Sequence, residues 1–172
     1  MKDSLPLEVE TPIPPGPGQE SVWDYPRPPR LEPTSAVIEV VLGGVLVART
    51  QDAFRVLETS HPPTYYLPRA SFVPTALRPA GGSSFCEWKG TASYLDVVGG
   101  GGRVAARAAW HYPRPTKTFV DLVDHVAVYP AAMDRCTVDG EVVVPQPGGF
   151  YGGWVTSTVV GPFKGQPGTE HW

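Results

Sequence analysis

The placement of proline and glycine constrains the fold of this chain more than any other feature. The sequence has 21 prolines and 19 glycines in 172 residues, and they cluster at both ends and between valine-rich segments. Proline removes a backbone donor and glycine favours tight turns, so this spacing disfavours long helices. The pattern is typical of many short strands joined by turns. We therefore predict a mainly β, single compact domain of antiparallel hairpins.

Three segments have the pattern of a hairpin. In the first, AVIEVVLGGVLVART (36–50), two valine-rich runs flank Gly43 and Gly44, which can take the positive φ angles of a two-residue turn. In another, RCTVDGEVVVP (135–145), Asp139-Gly140 is the turn. The central hairpin joins residues 90–98 to 103–112 through four glycines. Single strands are expected at 125–130 and 154–160.

The central hairpin predicts two faces with different character. If Gly99–Gly102 form the loop, Val98 pairs with Arg103 and Gly90 lies opposite His111. One face, expected to meet the core, is then largely apolar and carries Thr91, Ser93, Leu95, Val97, Val104, Ala106, Ala108, Trp110 and Tyr112. The other carries Trp88, Ala92, Tyr94, Asp96, Arg103, Arg107, Ala109 and His111. A register slip would change both sets.

One segment favours a short α-helix, TQDAFRVLETS (50–60). Thr50 or Asp52 could cap it, and Ala53, Val56 and Leu57 form a short apolar stripe. The prolines that follow His61 would end it. We expect this helix beside the hairpins of a core domain at 35–145. A Pro-rich arm (1–34) would precede that domain, and a Gly/aromatic extension (146–172) would pack on it.

Charge and cysteine content exclude several classes of function. The formal net charge is −3 and the sequence has no basic run, so we expect no nucleic-acid partner. Cys86 and Cys136 are fifty residues apart without the paired spacing of a zinc site, so no structural zinc is expected. The sequence shows no apolar signal segment and no stretch long enough to span a bilayer. We therefore expect a cytoplasmic protein with no membrane partner.

Four stretches carry a resemblance to a known family: RVLETSHPPTYYLPR, CEWKGTASY, AAWHYPRP and HVAVYP, in that order. Together they resemble the bacterial and fungal DUF427 family, a domain of unknown function, over roughly residues 35–145. The family is sometimes labelled a nucleotidyltransferase. Such a reaction generally needs carboxylates that hold Mg²⁺ and a loop that cradles phosphates. The close acidic pair, Asp121 and Asp124, has no such loop before it, so nucleotidyl transfer enters only as an alternative.

Aromatic and basic side chains cluster on the central hairpin. Small residues between the rings leave space, and ligand pockets are commonly aromatic with a few placed polar groups. We therefore predict that the end of this hairpin binds a small molecule, either a metabolite or a nucleotide-like compound. The sequence indicates no particular cofactor. The predicted ligand-binding residues are Trp88, Lys89, Tyr94, Arg107, Trp110, His111 and Tyr112.

Two other classes of function stay open. An enzyme could use Cys86 as nucleophile with His111 as base, and Glu58 is a further catalytic candidate. A metal site could combine Glu58 with some of the four histidines, His61, His111, His125 and His171, but their scatter leads us to predict no metal. Gly99–Gly102 lacks the following helix of a phosphate loop. Alternatively, the protein is structural or oligomeric, with its aromatics buried and its tail crossing to a neighbour. The aromatic tail itself could be a lid over the pocket, a strap on its own subunit or a homodimer contact.

Overall fold

Short strands dominate the computed structural model, which describes residues 11–172. The first ten residues of the predicted Pro-rich arm lie outside the described residues. The strands are β1 (Glu20–Ser21), β2 (Arg30–Thr34), β3 (Ile38–Leu42), β4 (Val45–Thr50), β5 (Ala53–Leu57), β6 (Thr64–Pro68), β7 (Leu77–Cys86), β8 (Gly90–Val98), β9 (Val104–His111), β10 (His125–Val128), β11 (Arg135–Val138), β12 (Glu141–Val142), β13 (Val144–Pro145), β14 (Trp154–Val155) and β15 (Val159–Val160). The predicted mainly β class is confirmed.

Two antiparallel sheets contain most of the strands. The larger has seven strands in the order β2-β5-β6-β10-β9-β8-β7, and the smaller has four in the order β12-β11-β3-β4. One apolar cluster draws side chains from both, including Ile38 and Val40 of the small sheet and Leu67 and Val128 of the large one. The main core therefore lies between the two sheets.

The opposite face of the large sheet carries a second, aromatic cluster. Side chains alternate along a strand, so Tyr65 and Leu67 enter the main core while Tyr66 points the other way. In the same manner Ala127 faces the second cluster from β10. Its buried members include Val56, Ala92, Trp110, Tyr112, Phe119 and Leu122. This outer face of the large sheet is where the candidate site forms.

The predicted turns of the two outer hairpins are present. Gly43 and Gly44 have φ angles of 62° and 72°, and Asp139 and Gly140 have φ angles of 48° and 82°. A Cβ on Gly43 would overlap the carbonyl oxygen of Gly100. The glycine run of the central hairpin therefore lets its loop pack directly on the turn of the first hairpin.

The predicted α-helix at 50–60 is wrong. Residues Ala53–Leu57 form strand β5, which pairs with β2 on one side and β6 on the other. Thr50 Oγ1 accepts a hydrogen bond from the Asp52 N–H at 2.9 Å, but this closes the turn between β4 and β5. Isolated helices this short are marginal, so two ladders of backbone hydrogen bonds outweigh the local pattern. Throughout residues 11–172, the helical segments are short 3₁₀ turns.

The predicted register of the central hairpin is also wrong. Val98 pairs with Val104 instead of Arg103, and beyond a bulge Leu95 pairs with Ala109. At the bulge Arg107 has a φ angle of 52°, and its N–H donates to Asp96 Oδ1 at 2.8 Å. The extra residues shift the partners, so that Tyr94 pairs with Trp110, and Ser93 pairs with His111.

This register changes which residues share a face. Trp110 and Tyr112 were expected beside Leu95 on the core face, but they lie with Tyr94 on the outer face. Leu95 enters the main core with Ala109.

The two end segments of the described chain contact each other and the sheets. Strand β1 pairs in parallel with β15, and β13 pairs with β14. The predicted single strand at 154–160 is two short strands separated by a turn. Trp154, at its start, is fully buried in the main core. No helix among residues 11–172 has the length and apolar character needed to cross a membrane.

Candidate functional site

A cavity of about 330 Å³ opens on the outer face of the large sheet. Aromatic rings form much of its wall, from Tyr66, Tyr94, Trp110, Tyr112, Tyr129 and Tyr151, with Phe85 and Phe150 at the rim. Its polar groups come from Glu58, His61, Cys86, Lys89, Gln146 and Lys164. The cavity size lies within the range of small-molecule sites, and its mixture of rings and a few polar groups is typical of them.

The aromatic wall is held by contacts between its own rings. Trp110 Nε1 donates to the Tyr66 hydroxyl at 3.3 Å, and the Trp110 and Tyr129 ring centroids are 4.6 Å apart. Burial raises the pKa of Tyr66 and that of Tyr112 well above the ordinary value, so both phenols keep their protons at neutral pH. These rings therefore form a fixed, uncharged surface.

Lys89 and Cys86 lie together at the turn between β7 and β8. The Lys89 Nζ donates to Cys86 Sγ at 3.3 Å and lies 5.7 Å from the centroid of the Tyr112 ring. Gly90, with a φ angle of 106°, closes the turn opposite Cys86. Within residues 11–172, Lys89 forms no ion pair with a carboxylate. The turn thus presents an ammonium and a partly exposed thiol to the cavity.

Glu58 supplies a carboxylate directly after β5. Its Oε2 lies 3.2 Å from Arg27 Nη2 and 3.4 Å from His61 Nε2. Burial alone would raise the pKa of Glu58, but the hydrogen bond from His61 and the charges of Lys89 and Arg27 outweigh it, and the pKa is lowered. Glu58 is therefore ionised at neutral pH and can only accept hydrogen bonds.

Gln146 determines how His61 is used. The Gln146 Nε2 donates to the Lys164 carbonyl at 2.8 Å, and the Oε1 accepts from the Gly153 N–H at 3.1 Å, which fixes the amide orientation. The same Nε2 lies 3.1 Å from His61 Nδ1. Because Nδ1 faces a donor, it accepts, and Nε2 carries the hydrogen that points to Glu58.

The C-terminal segment closes one side of the cavity. Tyr151 packs edge-on against His61 with ring centroids 4.7 Å apart, and Lys164 Nζ lies 5.5 Å from the Tyr151 centroid. A Cβ on Gly152 would overlap the Trp110 ring, so the backbone here abuts the aromatic wall. Phe150 and Phe85 line the rim, where they are 76% and 78% exposed.

The structure brings together six of the residues singled out from the sequence. Four are predicted ligand-binding residues, Lys89, Tyr94, Trp110 and Tyr112, and two are catalytic candidates, Cys86 and Glu58.

The other three predicted residues lie outside the cavity lining. Trp88 packs against the edge of the aromatic cluster. Arg107 stacks over the Tyr94 ring, with its guanidinium carbon 4.8 Å from the centroid, and lines a neighbouring cavity of about 290 Å³. His111 points to the opposite face of the sheet, where burial and the charge of Arg69 lower its pKa. His111 and Cys86 are therefore not brought together.

Several cavity residues were missed as ligand contacts, among them His61, Tyr66, Tyr129, Gln146, Tyr151 and Lys164. Two signals pointed to some of them: the spacing of Glu58 and His61, considered only for a metal, and the aromatic tail, considered as a lid. His61 instead contacts Glu58, Gln146 and Tyr151. In the described part of the chain, no three His, Cys, Asp or Glu side chains are grouped to hold a metal ion.

Comparison with known proteins supports the family resemblance. No curated protein matches the chain. A family model described as a domain of unknown function, DUF427, matches residues 30–139. This range contains Glu58, Lys89 and the aromatic wall of β6 and β9, whereas the cavity residues from Gln146 onward lie beyond it. The chain belongs to the DUF427 family.

Proposed function

We propose that this protein binds a small, ring-containing molecule in the cavity on the outer face of the large sheet. The observation that carries the proposal is the convergence of eight aromatic side chains with a carboxylate and two ammonium groups around one space of about 330 Å³. Rings of this kind stabilise a planar ligand by stacking and edge contacts. The charged groups would orient it.

The position of Trp110 and Tyr112 supports a ligand-binding role. Both lie on the face of the sheet that the second sheet leaves uncovered, so their rings wall a cavity. The C-terminal segment packs against its own chain around this cavity, through Gln146, Tyr151 and Gly152. Those contacts favour a strap that completes the site over a segment that dimerises the domain.

Nucleotidyl transfer gains no support from the residues that the structure describes. Neither Asp121 nor Asp124 lines the cavity. The Gly99–Gly102 loop packs on the turn at Gly43, away from the cavity. The ligand-binding proposal therefore does not depend on that family label.

A second candidate function is covalent chemistry at Cys86. The observation that favours it is the Lys89 ammonium, 3.3 Å from the Cys86 sulfur inside the same cavity. A nearby cation stabilises the thiolate, which is the nucleophilic form of cysteine. Lys89 would stabilise the thiolate by its charge, with the thiol proton passing to solvent, and the histidine base considered from the sequence would have no part in it.

The ligand-binding proposal is tested with a panel of ring-containing metabolites in a thermal-unfolding assay. A true ligand raises Tm of the wild type progressively with the logarithm of its concentration once this exceeds Kd. Tyr94→Ala removes one ring of the wall and should abolish the rise. His111→Gln, a neighbour of Trp110 on the opposite face, should preserve it. Equal rises in all three proteins, or no rise with any compound, would contradict the proposal.

A further inference from the structure

We infer that the ligand of this cavity is a zwitterion: an aromatic ring that carries both an ammonium and a carboxylate group, of the class of the aromatic α-amino acids. This inference rests on the proposed ligand-binding function and specifies the chemistry of its ligand. It follows from two opposite charges, Glu58 and Lys89, that face one cavity and lack full partners within residues 11–172. The other lysine that lines the cavity, Lys164, donates to the Trp172 carbonyl oxygen at 3.1 Å.

The first of these charges is the Glu58 carboxylate. Both of its protein partners, Arg27 and His61, contact the same oxygen, Oε2. Within residues 11–172 the other oxygen, Oε1, accepts no hydrogen bond. Solvent reaches this oxygen, since the buried side-chain polar atom left without a partner among these residues is the Ser60 hydroxyl. Glu58 Oε1 is thus free to accept from a donor on the ligand.

The second charge is the Lys89 ammonium. It has three donors, and within the described residues its only hydrogen bond goes to the Cys86 sulfur, a weak acceptor. The face of the Tyr112 ring adds a weak attraction. Lys89 is thus suited to bind an anionic group.

Glu58 and Lys89 do not form an ion pair with each other, although both line the cavity. A ligand with a single positive charge would leave Lys89 unpaired. A ligand with a single negative charge would leave Glu58 Oε1 unpaired, and a polyphosphate would also be repelled by the carboxylate. A zwitterion pairs with both groups at once.

The rings indicate where the apolar part of the zwitterion would lie. Lys89 is placed over the Tyr112 ring and Lys164 over the Tyr151 ring. Within residues 11–172 no such cation lies over Trp110 or Tyr129. Trp110 is 8% exposed and packs against Tyr129 and Gly152, so a ligand ring would contact mainly the half-buried Tyr129. An aromatic amino acid offers one ring together with two opposite charges, one for Glu58 and one for Lys89.

The test uses three probes with the same ring: L-phenylalanine, 2-phenylethylamine, which lacks the carboxylate, and 3-phenylpropionate, which lacks the ammonium. Their Kd values are measured by calorimetry with the wild type, Glu58→Gln and Lys89→Met. Glu87→Gln and Lys117→Met, which change exposed charges outside the cavity lining, are the matched controls. Thermal unfolding of every variant checks that it is folded.

We expect the wild type to bind L-phenylalanine at least about tenfold more tightly than either truncated probe, the effect of one charged hydrogen bond. Glu58→Gln should weaken L-phenylalanine and 2-phenylethylamine and leave 3-phenylpropionate unchanged, while Lys89→Met should weaken L-phenylalanine and 3-phenylpropionate only. The two control variants should behave as the wild type.

Three results would overturn the inference. They are equal or tighter binding of a truncated probe, the same response of all three probes to both substitutions, and no binding of L-phenylalanine. If another ring compound from the panel still binds in a Tyr94-dependent manner, the zwitterion inference fails and the ligand-binding function stands. If no compound binds, both fail.

Discussion

His61 Nε2 lies 3.4 Å from Glu58 Oε2, and this contact holds the carboxylate against one wall of the cavity. The contact depends on Gln146, whose side-chain amide holds the His61 ring through its other nitrogen, Nδ1. His61 is thus a positioning residue, since both of its ring nitrogens are engaged by the protein. The C-terminal segment, through Gln146, takes part in orienting a group supplied by the family domain.

Replacing Gln146 with Leu should destabilise the fold and weaken ligand binding. The substitution leaves His61 Nδ1, the Lys164 carbonyl and the Gly153 N–H without their partner. Unpaired buried polar groups cost about 1–3 kcal/mol each, and three groups lose their partner, so we expect a loss of about 3 kcal/mol or more of unfolding free energy in urea titrations. Gln166→Leu, at an exposed position in the same segment, is the control. Equal stability of the two variants would contradict the account.

Glu58 should contribute to stability at neutral pH and lose that contribution in acid. Its folded pKa is lowered, so the folded state favours the ionised form. The contribution is fully present above the unfolded pKa, about 4.3 for glutamate, and is lost as the pH falls through the lowered folded pKa. The stability difference between wild type and Glu58→Gln, measured by urea unfolding from pH 7 to pH 3, should shrink below about pH 4.3. A difference that grows in acid would refute this assignment.

The two cysteines should differ sharply in reactivity. Cys136 is buried in the main core, and burial raises its pKa to about 12. Cys86 is partly exposed beside Lys89. Iodoacetamide at pH 8 should therefore add one group per native chain, at Cys86, with iodide leaving and the thiol proton passing to solvent.

Lys89→Met should slow this alkylation, while Lys117→Met should not, as followed by intact mass. Denaturation should expose Cys136 and add the second group. A Cys86 that stays unmodified in native protein would remove the basis for covalent chemistry at this site.

Arg107 offers a test of the bulge in the central hairpin. Its φ angle of 52° is unfavourable for a residue with a Cβ, whereas glycine adopts it without strain. Both Arg107→Ala and Arg107→Gly remove the stacking on Tyr94, so they differ only in backbone preference. We expect the glycine variant to be more stable than the alanine variant by about 1 kcal/mol in urea unfolding. The reverse order would show that Arg107 is not in the left-handed region.

Features that depend on neighbouring residues alone could be predicted from the sequence, and features that depend on distant strands could not. The turns at Gly43-Gly44 and Asp139-Gly140 could be predicted because their residues alone favour positive φ angles. The helix expected at 50–60 is a strand because its conformation depends on β2 and β6, whose pairing has no local signal. The bulge at Arg107 is hidden for the same reason: Asp96 stabilises it from the neighbouring strand.

The candidate site was partly predictable on similar grounds. One hairpin carries Lys89, Tyr94, Trp110 and Tyr112, so their proximity follows from strand pairing. The face of the sheet on which Trp110 and Tyr112 lie does not follow from it. His61 and Gln146 are eighty-five positions apart, and only the fold brings them together. His111, between Trp110 and Tyr112 in the sequence, points to the face of the large sheet opposite the cavity. The chemistry at the cavity therefore depends on groups from other elements.

The most direct test of the ligand-binding account follows the indole N–H signals of the five tryptophans by NMR during titration with L-phenylalanine. Trp110 lines the cavity, whereas Trp154 is buried in the main core and Trp23 lies near the C-terminal segment. The account predicts a saturable shift of the Trp110 signal, with little change at Trp154 and Trp23, and its loss in Tyr94→Ala. A saturable shift confined to Trp154 or Trp23, or no shift at any tryptophan with this or any ring compound of the panel, would contradict it.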